Sequence, residues 1–287
     1  MRAVRDCGYT MTFSEYFSEH SKIYICDHKV PEPAHQSRFF STLVSGVQSS
    51  SKNKYYGDLD GVNLSHNNSL SEMRHQHHVW RHPPRHAKYI GFEHYRRSFF
   101  IDFVPSALTS GDRMDLELRL RFAKNDRDCL HTMTEENFTK YIVKRSNLCE
   151  QYPEIYRNWI ESFDIVLPRP LFDESIKQQW SWTHISQYWD DFVSSIKELS
   201  YFHNNVNFVD FDMMRPSFFN MYIMRWNLFD EYMTFWSECA DRLSKKIQDE
   251  PRILGHFSER LINIFVFQKQ IEFPALRVLK LPVLYRE

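Results

Sequence analysis

The chain has 287 residues with 36 basic and 37 acidic side chains, a formal net charge of −1, and is 42% hydrophobic and 25% charged. That balance fits one large α/β domain and excludes wholesale disorder, and it excludes general nucleic-acid binding, which rewards a clear basic excess. With only 7 glycines and neither a GxGxxG nor a Walker pattern, a Rossmann dehydrogenase and a P-loop nucleotidase are excluded as well.

Residues 1–21 read as an N-terminal extension and residues 22–287 as a single domain. Lys22 to Cys26 is the first strand, β-branched and aromatic, and it ends at Asp27-His28-Lys29. Pro31 and Pro33 impose an extended connection, and the polar stretch from Gln48 to Leu70 reads as a loop with Asx-type turns. Ser69 or Ser71 caps a helix that runs to Trp80, with Glu72 in its first turn, and Pro83-Pro84 closes it. The strand that follows makes a β-α-β unit with the first, which predicts a parallel pair.

That second strand, Tyr89 to Phe92, gives way to Glu93-His94-Tyr95-Arg96-Arg97. Gly91 inside it predicts a close approach of neighbouring chain or a bulge. Ligands of open α/β sheets sit beyond the carboxyl ends of strands, so an acid, an imidazole and two guanidiniums there suit an anionic ligand. The plainer reading has Arg96 and Arg97 pairing with nearby acids in an exposed loop.

Farther on, Ser106 to Arg127 reads as an exposed helix or insertion. Helices are predicted over Glu135–Arg145, Pro153–Ser162, much of Ile176–Leu199, and Leu228–Ile247, with another through Ser258 to Leu261. Strands are predicted at Phe163–Leu167, Asn220–Met224 and Leu276–Tyr285. Strands alternate with helices, which is the pattern of an α/β domain.

In this order the motifs Asn63-Leu64-Ser65-His66-Asn67 with Glu72, YIGFEHYRR, Asp164 to Pro168, His184, Asn220 to Met224 and Ser258 to Leu261 resemble a family of bacterial capsular and exopolysaccharide biosynthesis proteins. That family was long catalogued as a domain of unknown function and is regarded as glycosyltransferase-like. The resemblance spans about residues 22 to 270. It implies the α/β fold of nucleotide-diphospho-sugar transferases (Rossmann-like, GT-A-like), with a mostly parallel sheet flanked by helices. It also implies transfer of a sugar from a nucleotide-sugar donor to a growing polysaccharide or lipid-linked glycan. Two positions depart from the family pattern: Val62 stands where an acid is frequent, and Glu93 where a small or apolar residue is.

Carried onto this chain, the resemblance gives donor contacts at His28, Lys29, Asn63, Ser65, Asn67, Glu72, His94, Arg96 and Arg97. Arginine forks bind phosphate oxygens at any cellular pH, so Arg96 and Arg97 are expected to neutralise the leaving diphosphate with no obligatory metal. A divalent cation, manganese or magnesium, is the alternative, held by Asp210-Phe211-Asp212. Glu259 is the first choice for the base, then Asp212, then His94; an ion pair with Arg260 is the alternative for Glu259. Trp180, Trp182 and His184 are the expected acceptor contacts. His75, His77, His78, His82 and His86 match no standard zinc spacing, so they are expected on the surface. The rival readings are transfer of a phosphoryl-bearing group to a glycan, and a non-catalytic glycan-binding or assembly subunit. The five scattered cysteines contain no CxxC pair, and no run reaches the roughly 20 apolar residues of a bilayer span. Both point to the cytoplasm, with peripheral contact at the inner face of the membrane as a further reading.

Overall fold

The computed structural model describes residues 20–31, 37–85, 87–102, 113–125, 127–183, 187–199, 211–212, 214–247 and 252–287. In chain order its strands are β1 (Ser21–Asp27), β2 (Phe40–Val44), β3 (Tyr56–Gly57), β4 (Tyr89–His94), β5 (Arg97–Phe99), β6 (Leu130–Met133), β7 (Ile165–Pro168), β8 (Tyr222–Arg225), β9 (Val278–Leu281) and β10 (Val283–Arg286). The helices are α1 (Met73–Arg81), α2 (Arg113–Lys124), α3 (Glu135–Gln151), α4 (Pro153–Glu161), α5 (Ile176–Thr183), α6 (Gln187–Lys197), α7 (Trp226–Lys246) and α8 (Ile253–Glu272).

The main sheet runs β3-β2-β1-β4-β8-β7-β9, with β8 antiparallel to its neighbours and the rest parallel. This is the mostly parallel α/β sheet expected from the sequence. β1 and β4 pair in parallel, Ser21 opposite Tyr89 through Cys26 opposite His94. Alternation along β1 sends Tyr24 and Cys26 to a core shared with α1, α7 and α8, while Ile23 faces a second core closed by Cys149 of α3 and Tyr156 and Ile160 of α4. Gly91 fulfils its expectation. A Cβ there would lie 2.9 Å from Ile223 Cγ1 and 3.0 Å from Ile23 Cγ1, so the two flanking strands fill its side-chain space.

At its carboxyl end β4 changes partner. Tyr89 to Phe92 pair with β8, whereas His94 pairs with Arg97 of β5, which leads on to β10 and β6. The sheet therefore divides beyond Phe92. Glu93, expected at a polar strand end, is instead inside β4 and only 1% exposed. Its carboxylate takes both Nη groups of Arg145 on α3, at 2.7 and 2.8 Å, and the Ser98 hydroxyl at 3.2 Å. That bidentate pair ties the divided end of the sheet to the helix behind it.

Other boundaries moved for local reasons. The segment 40–44 forms a fully buried strand, and the loop read over 48–70 holds β3. Both are short, and neither shows a two-residue alternation to read. The expected terminal strand is two strands separated by Pro282, which has no N–H to continue the ladder.

Candidate functional site

The strand order turns back at β1, which has β2 on one side and β4 on the other. The carboxyl ends of these two strands are the place where open α/β sheets hold ligands. Asp27 ends β1 and His28 follows, its ring edge-on to Tyr95 at 4.8 Å. His94 ends β4. Two cavities of about 290 Å³ each open here and share Ser71, Glu72 and Arg252. One extends to His28, His94 and Arg96. The other extends to Arg97, Asn220 and Glu259.

Three elements bring these groups together. Asn67 caps a single 3-10 turn, Asn68–Leu70, by accepting the Ser69 N–H, and the chain then enters α1 through Ser71 and Glu72. The start of α8 lies directly against this turn: a Cβ on Gly255 would sit 2.7 Å from Ser71 Oγ and 2.8 Å from Ser71 Cβ. Glu259, one helical turn on, is thereby held near Glu72. The third element is the entry to β8. Asn220 accepts from Gln76 Nε2 through its backbone carbonyl at 2.7 Å and reaches the Gly255 carbonyl with its side chain at 3.4 Å.

The backbone is strained at this meeting point. Five non-glycine residues among those described have positive φ, and Ser71, Phe219, Asn220 and Arg252 all line the Glu72–Glu259 cavity. Each such conformation costs on the order of 1–3 kcal/mol and persists only where the surroundings enforce it.

The charges are arranged unequally. Neither Arg96 nor Arg97 has a carboxylate within ion-pair distance among the described residues, and the Nε of each is buried without a hydrogen-bond partner. The exposed-loop pairing considered for this doublet is therefore not what forms. Arg97 lies over the Phe219 ring at 4.5 Å, and Arg96 over Tyr95 at 5.2 Å, so both guanidiniums are fixed in place by rings.

His94 Nδ1 accepts the Arg96 backbone N–H at 3.2 Å, which puts the proton of the neutral ring on Nε2, 3.4 Å from Glu72 Oε1. Burial, and then the charges of Arg97 and Arg96, push the His94 imidazole down to about 2. A ring that is neutral and already accepting at Nδ1 has no free basic nitrogen. His94 therefore meets Glu72 as a neutral ring whose Nδ1 is already engaged.

The two carboxylates differ. Burial would raise Glu259, but His256, Arg260 and the Phe219 N–H outweigh it and hold the carboxyl below its ordinary range. The Arg260 pair considered from the sequence is present, at 3.0 Å, and Phe219 N donates at 3.1 Å. Glu72 is pushed upward, first by burial and then by the charge of Glu259.

Several expected contacts lie elsewhere. Asn63 donates to the Leu59 and Gly61 carbonyls and accepts from Ser65, and Asn67 is committed to its cap. Asn63, Ser65 and Asn67 thus build the loop that carries Glu72 and do not line the crevice cavities. Lys29 is exposed and borders a cavity of about 670 Å³ on the α3 side. Asp212 is exposed, 3.5 Å from Lys177, and lines none of these cavities. Trp180 is core, 1% exposed and stacked on Phe257 at 4.5 Å. Trp182 is 67% exposed and outside the crevice, while His184 and Asp210 lie outside the described residues. Of the histidines expected on the surface, His75, His77 and His78 are buried, His82 is exposed, and His86 lies outside the described residues. Among the described residues no group of three or more His, Cys, Asp or Glu is placed to hold a metal ion, and no helix is long and apolar enough to cross a membrane.

The sequence did not single out Arg252, Asn220 or Phe219 as site residues. Their part depends on left-handed backbone conformations that no residue type advertised.

No curated protein matches the chain. Among solved structures, the apo structure of the bifunctional glycosyltransferase WbbM superposes with a TM-score of 0.66 at 20% sequence identity. The match covers 93% of this chain and 45% of that one, so the chain spans less than half the length of that protein. At that identity the likeness is one of fold. The model of a domain of unknown function, DUF4422, matches residues 22–270, and the chain belongs to that family.

Proposed function

We propose that the crevice between β1 and β4 transfers a glycosyl group from a nucleotide-sugar donor to a glycan hydroxyl. The observation that carries this reading is the pairing, in one strained crevice, of two ion-pair-free guanidiniums with a carboxylate of raised pKa. The fold shared with WbbM and the position at the reversal of strand order support it.

The diphosphate lies against Arg97, Arg96 and Arg252, whose charge stabilises it as the bond to the sugar anomeric carbon breaks. Glu72 accepts the proton of the acceptor hydroxyl as the hydroxyl oxygen bonds to that carbon. One base and one displacement give inversion at the anomeric centre. His94 holds Glu72 through Nε2–H. Glu259 fixes Arg260 and the Phe219 turn and adds a negative charge that keeps Glu72 basic.

The test is a panel of UDP-, GDP-, CMP- and dTDP-sugars read by melting temperature and by release of free nucleotide, with EDTA or with manganese. One nucleotide class is expected to raise the melting temperature by mass action. The shift should disappear in Arg97→Ala, and nucleotide release should persist in EDTA. Release abolished by EDTA and restored by manganese would remove the arginine-only account of the leaving group. A shift that survives Arg97→Ala would remove the crevice as the donor site.

A further inference from the structure

A cavity of about 760 Å³ lies away from the crevice. It lies beside β1 at Lys22 and Tyr24 and reaches Leu43 of β2 and Tyr56 of β3. It shares no lining residue with the two crevice cavities.

Its polar lining is strongly one-sided. Lys22, Arg38, Lys54 and Arg85 border it, against a single carboxylate, Asp60. None of the four cations has an ion pair among the described residues; the nearest polar contact is Lys22 Nζ donating to the Arg38 carbonyl at 3.3 Å. Asp60 is engaged by its own loop. It accepts the Ser49 N–H at 3.0 Å, and the rings of His78 and His82 are its other neighbours. Four unpaired cations held around one concavity repel each other, and a bound anion relieves that repulsion.

The wall supplies the second half of a recognition surface. Tyr24 and Tyr56 meet edge to face at 5.9 Å, and Tyr56 remains 40% exposed. Leu43 and Val79 complete an apolar floor. A ring can lie on Tyr56 while its phosphate meets Lys22 and Arg38. Lys54, the fifth non-glycine residue of positive φ, holds the turn that brings its ammonium to the rim. Burial pulls the Lys22 ammonium down to about 8, which an arriving phosphate would reverse.

We propose that this cavity is a second anion site, which takes a phosphate-bearing molecule whose ring rests on Tyr56. Binding is measured by calorimetry with the full chain, using pyrophosphate and AMP as probes, in the wild type, Lys22→Gln, Arg85→Gln, Tyr56→Ala and Arg97→Ala. Both probes are expected to bind in the wild type and in Arg97→Ala. Lys22→Gln and Arg85→Gln should weaken both by about tenfold or more, the scale of one charge-assisted hydrogen bond. Tyr56→Ala should weaken AMP and leave pyrophosphate unchanged. Arg85 is exposed, so that variant keeps the test valid if Lys22→Gln fails to fold. Flotation with phosphatidylglycerol vesicles separates the sources of phosphate: flotation lost in Arg85→Gln assigns the site to a lipid headgroup, and no flotation assigns it to a soluble ligand. Absence of binding by either probe, or binding lost only in Arg97→Ala, overturns the proposal.

Discussion

In the proposed reaction Glu72 is the base, and its environment makes a prediction with two signs. Its carboxyl is raised by burial and by the charge of Glu259, and lowered by Arg97. As a base it works only when ionised, so the rate should rise with pH through a value above the ordinary carboxylate range of about 4.3. Removing the neighbouring negative charge in Glu259→Gln should move that limb to lower pH. Removing the positive one in Arg97→Ala should move it to higher pH. Glu72→Gln should lower kcat by about a hundredfold or more and leave donor affinity near wild type, because the amide keeps the shape but takes no proton. A pH profile of kcat in the four proteins checks all three points. Equal shifts in both neighbours, or a limb unmoved by either, would take the base away from Glu72. The sequence named Glu72 only as a donor contact and ranked Glu259 first as the base. The proposal reverses their order because Glu259 already accepts from Arg260 and from the Phe219 N–H, and Phe219, 40 residues away, reaches it only through the fold.

At the scale of elements, β4 is held at its carboxyl end by one buried ion pair. Arg145 is raised above its ordinary value because Glu93 more than offsets the effect of burial. Its guanidinium also lies over the Phe40 ring at 4.1 Å. Glu93→Leu leaves that charge buried without a counterion, and a loss of roughly 3–5 kcal/mol is expected. The double variant Glu93→Leu/Arg145→Met should recover much of it, since replacing both partners removes the uncompensated charge. Urea unfolding of the three variants checks this, and a double variant no better than Glu93→Leu would contradict it. A second contact sets the geometry between helices. Gly255→Ala forces a methyl into Ser71 and should cost about 1–3 kcal/mol. It should also lower kcat by moving Glu259 relative to Glu72. Both contacts show where sequence reading reaches its limit. The paired strands β1 and β4 were legible from β-branched and aromatic runs, and α7 from its apolar spacing. Gly91 was legible as a close approach because a glycine inside a strand has few other uses. Glu93 was misplaced because a buried acid looks like a loop acid until its partner, 52 residues away, is known. Asn63, Ser65 and Asn67, which the resemblance gave as donor contacts, bond their own loop instead, as short polar side chains readily do.

Across the whole molecule, buried histidines, among them His75 and His78 that the sequence placed on the surface, decide how the protein meets acid. Burial first, and neighbouring charges second, push His78 down to about 4, His75 to about 3 and His94 to about 2. All three stay neutral in the folded protein at neutral pH. In the unfolded chain they titrate near 6.5. Above that pH neither state takes up a proton at these sites, and their contribution to stability is fully present. As pH falls below it, the unfolded chain binds protons that the folded one refuses, and stability is lost down to the folded values. Each imidazole contributes a slope of roughly 1.4 kcal/mol per pH unit, so the three together approach about 4 kcal/mol per unit near pH 5. A domain stable by about 5–15 kcal/mol would then unfold within a few units below neutrality. Urea midpoints at pH 7.5, 6.5, 6.0 and 5.5 measure the slope. His78→Gln, which removes one of these titrations, should reduce it by about 1 kcal/mol per unit. A midpoint that stays level from pH 7.5 to 5.5 would mean these rings are hydrated or paired in solution. The cluster would then return to the surface role that its spacing first implied. Two of the three rings, His75 and His94, line the crevice, and His78 lines the basic cavity. Acid therefore acts on both sites through α1 and β4 together, and loss of donor binding should track loss of fold instead of preceding it.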